Sequence, residues 1–306
     1  MRLLGTESAE TFLATYWQQQ PLFLPGAVDE TALITGDELA GLSLEEELES
    51  RMIFTAGREY SVQHGPFEEA LFTTLPEAGW TLLVQSVDLF LPTVAKLKTA
   101  VDFLPSWRVD DVMVSYATPG GGVGPHFDFY DVFLVQLEGE REWRIGQRCD
   151  ENTPVDTSSG LKLLEHFEEG ARYAATPGDV LYIPPGFAHW GTAASECLTA
   201  SVGFRAPTRG EMLADLATEL MAIGDARFYR DPPLRPDGSD VMRSEHIAQL
   251  QAMLSDLASD EALLGEWFAR YMTQSRYPFL LEDTEERRTA SFAGRRYLNG
   301  SPIEDD

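Results

Sequence analysis

The sequence predicts a mainly β fold, a barrel or sandwich core with helical additions, and three observations lead there. Between about residues 107 and 206, short apolar strands alternate with glycine- and proline-bearing turns, which suits antiparallel sheets rather than a parallel α/β sheet. Before that stretch helix and short strand are mixed, and after Pro207 the apolar spacing becomes helical. At 306 residues the chain is long enough for one large core and a smaller satellite, or two modest domains.

Taken in order, Thr6 to Trp17 carries Ala9, Phe12, Leu13, Tyr16 and Trp17 at helical intervals, and Pro21 and Pro25 bracket a short extended Leu22-Phe23-Leu24. Asp37 to Met52 is acidic and leucine-rich and reads as one or two helical turns; Pro66 to Leu75 reads as another short helix. Trp80 to Leu89 reads as a largely buried strand, and Pro92 opens a helix with proline near its N-terminus. Val109 to Tyr116 is a strand, followed by a glycine-rich turn that ends at His126. Asp131 to Leu137 and Arg141 to Ile145, separated by Glu138-Gly139-Glu140, suit a hairpin. Leu161 to Phe167 and Ala171 to Ala175 are weaker strand candidates, Asp179 to Ile183 is a strong one feeding a Pro184-Pro185-Gly186 turn, and Leu198 to Phe204 closes the series. Thr208 and Glu211 form a capping box ahead of a helix. A proline-rich linker begins at Pro232. Ser244 to Leu254 and Leu257 to Met272 are further helices, and the tail holds a small hairpin or wing at 289–300.

Composition narrows the classes of function. An apolar fraction of 43% is ordinary for a folded protein, and no segment is apolar for long enough to span a bilayer. The glutamate-interrupted start does not read as a secretory signal, and two cysteines, Cys149 and Cys197, do not make a disulfide framework, so the cytoplasm is the expected compartment. Fifty acidic against 23 basic residues give a formal charge of -27, which repels nucleic acid phosphate and attracts basic partners. Simple solubility explains the same number, and composition does not separate the two readings.

The chain has five histidines, at 64, 126, 166, 189 and 246. His126 and Asp128 lie two apart at the entrance of a strand, so a period of two points both side chains the same way. His189 follows a separate strand and a rigid proline turn, and antiparallel neighbours can bring its imidazole opposite that pair. Two histidines and a carboxylate on one face of an ion leave the other face open, as non-haem iron(II) oxygenases require; zinc hydrolases use the same ligand types. Arg141, with Trp143 on its face of the strand, is a candidate clamp for a carboxylate if it points inward, and an ordinary surface arginine if it points outward. Tyr116, Phe127, Phe129 and Tyr130 stand near this site as flanking or packing aromatics; His64, His166 and His246 read as surface or locally bonded residues.

The motifs GGGVGPHFDFYDVFLVQLEGEREWRIG, GDVLYIPPGFAHWG and SVGFRAPTRGE, with WQQQPLFLPGAV near the start, resemble the JmjC-type ribosomal oxygenases of the cupin superfamily. The similarity is closest to the bacterial branch that hydroxylates an arginine of ribosomal protein uL16. The resemblance implies a double-stranded β-helix core within an oxygenase domain at 1–206, a helical dimerisation region at 207–231 with a linker at 232–243, and a winged-helix-like domain at 244–306. It places an iron(II) triad on His126, Asp128 and His189, the arginine for the distal carboxylate of 2-oxoglutarate on Arg141, and further cosubstrate contacts on Ser115 and Thr199. Thr199 departs from the asparagine of the nearest relatives, and Ala117 replaces a second serine. Dioxygen is the other cosubstrate, a basic ribosomal protein the partner, and a homodimer the assembly. Hydroxylation of a histidine in another ribosomal protein, lysine demethylation and a non-catalytic metal- or protein-binding module are the competing readings.

Overall fold

The computed structural model describes residues 2–234, 240–278 and 287–304. They fall into two compact units that meet in sequence at Ala206 and Pro207.

In the first unit, Ser8 accepts a hydrogen bond from the Thr11 amide and so starts helix α1 (Ala9–Thr15), whose Phe12 is fully buried. Strand β1 (Leu22–Leu24) follows, then α2 (Gly36–Leu42), started by a Thr35–Glu38 capping box. The acidic leucine-rich stretch is helical only to Leu42. Beyond it the chain forms a true hairpin, β2 (Ser50–Ala56) and β3 (Glu59–His64), where a helix was expected at the first strand. Met52 and Ile53 are buried on opposite sides of this strand, a two-sided burial that mimics a helical apolar run. Helix α3 is reduced to Glu69–Phe72, and β4 (Trp80–Val84) gives way to a 3-10 turn before α4 (Pro92–Thr99).

The remaining strands of this unit are β5 (Val109–Ala117), β6 (Val132–Glu138), β7 (Arg141–Arg148), β8 (Val155–Asp156), β9 (Leu163–Leu164), β10 (Ala171–Ala175), β11 (Val180–Ile183), β12 (Phe187–Ala193) and β13 (Cys197–Phe204). With β1 to β4 they build an eight-stranded sheet in the order β1-β11-β6-β13-β5-β4-β2-β3 and a three-stranded sheet in the order β10-β7-β12, while β8 and β9 pair only with each other. One face of the large sheet packs its Phe133, Val135, Val112, Val114, Ala200 and Val202 against Phe12, Val94 and Leu97 of the helices. The other face packs Val132, Leu134, Leu181 and Ile183 against Trp143 and Ile145 of the small sheet. Alternate residues of β6 thus enter different cores, as a period of two demands. Two sheets enclosing one lumen are the double-stranded β-helix implied by the motifs.

The expected hairpin at Glu138-Gly139-Glu140 does not form. β6 pairs with β11 and β13, whereas β7 pairs with β10 and β12, so this short connection carries the chain from one sheet to the other. Gly139 makes the crossing possible: its φ is +63°, and a Cβ would lie 1.9 Å from the Glu196 carbonyl oxygen. A short loop between two strands predicts a hairpin locally, but the pairing is decided by which lumen-facing residues find partners.

The second unit contains α5 (Arg209–Ala222), with the expected Thr208–Glu211 capping box, α6 (Ser244–Ala258) and α7 (Glu261–Thr273). Helix α5 meets α7 through the Trp267 indole, which donates to Asp215 at 2.8 Å, and through Arg270, which pairs with Glu219. The tail is a three-stranded sheet of β14 (Thr289–Phe292), β15 (Arg295–Leu298) and β16 (Ser301–Ile303), one strand more than the expected hairpin. Part of the expected linker, residues 235–239, lies outside the described residues. No helix of the described residues is long and apolar enough to cross a membrane.

Candidate metal centre

His126 and Asp128 do not stand in a regular strand. They lie on the extended approach to β6, and the only ladder contact there is an isolated antiparallel bridge between His126 and His189. The two ligand candidates exchange backbone hydrogen bonds directly, His126 N to His189 O at 3.0 Å and His189 N to His126 O at 2.8 Å. His189 itself lies within β12, a strand absent from the sequence reading, because Pro184-Pro185-Gly186 and Gly191 look like turn residues. A register shift between Phe187 and His189 marks a bulge, the device that re-aims a side chain at a sheet rim. The Gly186 amide donates to the Asp128 carbonyl at 2.7 Å, joining the proline turn to the other ligand segment.

His126 Nδ1 lies 2.9 Å from the Gly124 carbonyl and His189 Nδ1 lies 3.0 Å from the Phe187 carbonyl. A carbonyl only accepts, so each Nδ1 carries the proton and each Nε2 presents a lone pair, the tautomer that a metal ligand needs. Those Nε2 atoms lie 3.9 Å and 3.6 Å from the same Asp128 oxygen, Oδ2. One donor atom from each of the three residues falls within 4.8 Å of the others. His189 is 3% exposed, and burial, followed by the nearby His126, lowers its pKa to about 4 despite the opposing Asp128 charge. It is therefore neutral at pH 7 and available for coordination. The donor set, the fixed tautomers and the convergent lone pairs fit one divalent cation of the type served by two imidazoles and a carboxylate.

Arg141 begins β7 and is 4% exposed, pointing into the lumen with Trp143 and Ile145 beside it. Its Nη1 donates to the Ser115 hydroxyl at 3.2 Å, and its guanidinium stands 5.7 Å from the Trp143 ring centre. Among the described residues its Nε and Nη2 have no hydrogen-bond partner. A buried cation with two unmatched donors suits a carboxylate ligand. Arg144 faces the other way, but it is not freely exposed: its guanidinium lies 3.7 Å over the Trp190 ring and donates to Thr192.

Ser115 and Thr199 are register partners on β5 and β13, both buried on the lumen face. The Ser115 hydroxyl therefore sits between Arg141 and the Thr199 carbonyl, 3.4 Å away. The Thr199 hydroxyl donates to Gln136 Oε1 at 3.0 Å, and Gln136 Nε2 turns to the Glu138 carbonyl at 2.8 Å. Gln136 was missed in the sequence, although its alternation with Val132 and Leu134 on β6 places it on the lumen face.

The aromatics divide. Tyr116 packs beside Trp80 on the helical side of the large sheet and is not at the site, because it alternates away from Ser115. Phe127 packs with Cys149, Leu164 and Ala188, while Phe129 stacks edge-on against it and stays 55% exposed. Tyr130 is 41% exposed, and desolvation followed by the nearby Asp128 charge pushes its pKa well up, so its phenol stays neutral. His64 is an exposed strand residue, His166 pairs with Glu168, and His246 accepts from the Arg243 amide at the start of α6.

A model described as the JmjC domain matches residues 96–212. The chain is 38% identical over 271 residues to the ribosomal protein uL16 3-hydroxylase of Escherichia coli K12, covering 87% of this chain and 71% of that protein. It belongs to the ribosomal oxygenases of the JmjC class. A probable ribosomal oxygenase of Haemophilus influenzae is 33% identical over 90% of this chain and 71% of its own length. The structure of YcfD, a ribosomal oxygenase from E. coli, in complex with cobalt and 2-oxoglutarate superposes with a TM-score of 0.84 at 33% identity, covering 99% of this chain and 87% of that one. The fold of this family, mainly β with helical additions, is thus the fold described above.

Proposed function

We propose that this chain is an iron(II)- and 2-oxoglutarate-dependent protein hydroxylase that 3-hydroxylates an arginine of ribosomal protein uL16. The observation that carries the chemistry is the pairing of a convergent His126–Asp128–His189 face with the unmatched donors of buried Arg141 in the same unit. The substrate follows from kinship to the E. coli uL16 3-hydroxylase over most of both chains. A charge of -27 is complementary to a basic ribosomal protein.

In this reading His126 and His189 hold the ion through Nε2 and Asp128 through its carboxylate, while Gly124 and Phe187 carbonyls keep both rings oriented. Arg141 holds the distal carboxylate of 2-oxoglutarate, with Ser115 fixing its guanidinium and Thr199 lining the same face. When bound, iron(II) with 2-oxoglutarate and dioxygen supplies the oxidising power that converts a C–H bond to C–OH. The protein contributes position and a walled lumen, and no side-chain base is needed. Phe129 and Tyr130, both exposed and next in sequence to Asp128, stand where they can flank an incoming substrate side chain.

Anaerobic loading with iron(II) and 2-oxoglutarate, followed by air and a panel of ribosomal proteins, tests this by intact mass. uL16 gains one oxygen with the wild-type enzyme and none with Asp128→Ala. Iron-loaded protein that oxidises no member of the panel would remove the substrate assignment.

The same reading includes a homodimer working in the cytoplasm. Supporting it, α5 and α6 expose Leu213, Met221, Ile247, Leu250 and Leu254, and no residue of α6 is buried within its own chain. Apolar helix faces of that extent ask for a partner surface. We assign the dimerisation role to 207–231, extended onto α6, and a winged-helix-like role to the rest of 244–306. A solution mass of one chain at micromolar concentration would refute the dimer.

A further inference from the structure

Both segments that bear the candidate ligands are held by one stretch near the N-terminus, and that stretch has no part in the chemistry described so far. Strand β1 pairs with β11 in the register Leu22↔Tyr182, Phe23↔Leu181 and Leu24↔Val180. From the end of β11 the proline turn leads directly to His189. Just beyond β1, the Gly26 amide donates to Asp179 Oδ1 at 2.8 Å, and the Val28 amide to the Gly178 carbonyl at 3.0 Å. The stretch therefore grips β11 along its whole length.

On its other side the same stretch reaches the segment of His126 and Asp128. Asp131, three residues past Asp128 and 0% exposed, accepts from the Tyr182 hydroxyl at 2.6 Å and from the Gln18 side-chain amide at 3.1 Å; Arg108 stands 3.5 Å away. The Gln18 backbone amide donates in turn to the Tyr182 oxygen at 2.8 Å. Gln18 is left-handed, with φ +58°, a conformation disfavoured for a residue with a side chain. That turn directs both its amide and its side chain at the Tyr182–Asp131 pair.

We infer that Gln18, Tyr182 and Asp131 form a clasp that sets the separation of the two ligand segments, making them positioning residues for the divalent cation. Tyr182 lies on the strand that leads to His189, and Asp131 lies on the segment that follows Asp128, so their hydrogen bond joins the two segments behind the ligands. Gln18 closes the joint from outside. Outer partners of metal ligands typically alter metal affinity by about 10- to 100-fold, and these stand one step further out, so about 3- to 10-fold is expected.

The inference rests on the metal reading above, and the test separates the two. Full-length protein is titrated anaerobically with Co(II) and followed by its visible absorption, with the urea midpoint of the metal-free form measured in parallel. Tyr182→Phe keeps the ring, which stacks on Trp17, and removes only the hydroxyl. Gln18→Gly removes the side chain but relieves the left-handed backbone, so its effect on stability is small while its effect on the clasp is not. Thr93→Val, which deletes the hydrogen bond from Thr93 to the Leu33 carbonyl in the same unit, is the stability control. The clasp predicts that Co(II) affinity weakens about 3- to 10-fold in Tyr182→Phe and Gln18→Gly and not in Thr93→Val. Affinities within twofold of wild type in both clasp variants would overturn it, whatever happens to the urea midpoint. Equal weakening in the control would overturn it too, because the effect would then follow stability alone. Wild-type protein that binds no Co(II) would overturn the metal reading and the clasp with it.

Discussion

Replacing Arg141 by methionine separates a ligand-binding arginine from a structural one, because the two roles predict opposite changes in stability. Among the described residues this buried guanidinium makes one hydrogen bond, to Ser115, and its Nε and Nη2 have no partner. Desolvation is therefore poorly offset, and a methionine of similar length that packs on Trp143 should stabilise the metal-loaded, cosubstrate-free protein by about 1–3 kcal/mol. In a unit of this size each kcal/mol moves Tm by about 2–4 °C. Truncating one partner of a buried charge pair costs about 2–5 kcal/mol in binding, and near 3 kcal/mol the affinity for 2-oxoglutarate falls about 100-fold. At a concentration of about 100 times the wild-type Kd, the ligand stabilises wild type by about 2.7 kcal/mol but the variant by only about 0.4 kcal/mol. Differential scanning fluorimetry under nitrogen, with Co(II) present and 2-oxoglutarate added or withheld, reads both quantities. A higher baseline Tm with the ligand shift nearly abolished is the expected result. A lower baseline Tm with the ligand shift intact would refute the reasoning, since Arg141 would then be a structural residue satisfied in a way the ligand model omits.

Other perturbations test the same architecture. Gly139→Ala places a Cβ 1.9 Å from the Glu196 carbonyl at a left-handed φ, so the sheet-to-sheet crossing must shift; a loss of about 2–3 kcal/mol in urea unfolding is expected, and an unchanged midpoint would contradict that geometry. Thr199→Val keeps the volume but takes the donor from Gln136, for a loss of about 1 kcal/mol in stability and a rise of a few-fold in the KM for 2-oxoglutarate; unaltered values for both would remove Thr199 from the site. Glu211 accepts from the Thr208 amide and hydroxyl, which lower its pKa from 4.5. A carboxylate with a lowered folded pKa contributes stability above its unfolded value, and that contribution is lost as pH falls through the lowered one. The urea-midpoint difference between wild type and Glu211→Gln should accordingly be constant above about pH 5 and shrink below pH 4.5; a difference that grows with acid would reverse the assignment.

How much of this was legible in the sequence varies with the range of the interaction. Strands such as Ala171–Ala175 and Val109–Ala117, and the Thr208–Glu211 cap, could be read because local spacing and hydrogen bonding decide them. Alternation also groups Arg141, Trp143 and Ile145 on one side of β7, but whether that side faces the lumen or solvent stayed open until the sheets were placed. The pairing of strands was not legible. Glu138-Gly139-Glu140 looks like a hairpin turn, yet the strands it joins belong to different sheets, because the lumen needs a wall on each side. β12 was hidden for a related reason: Gly191, which looks like a turn residue, lies inside the strand because of a close Trp143 contact that only the folded chain creates.

The sequence by itself determined the chemistry on offer, namely two imidazoles, one carboxylate and one arginine in a β-rich chain of charge -27. Tertiary structure alone decided that these groups converge. It did so by bridging His126 to His189 across segments about 60 residues apart, by burying Arg141 beside Ser115, and by tying Asp131 to Tyr182 and Gln18. The physical reason is that side-chain type and local alternation are properties of neighbours along the chain, whereas convergence depends on contacts between distant segments, whose partners are chosen only when the two sheets close on their common core.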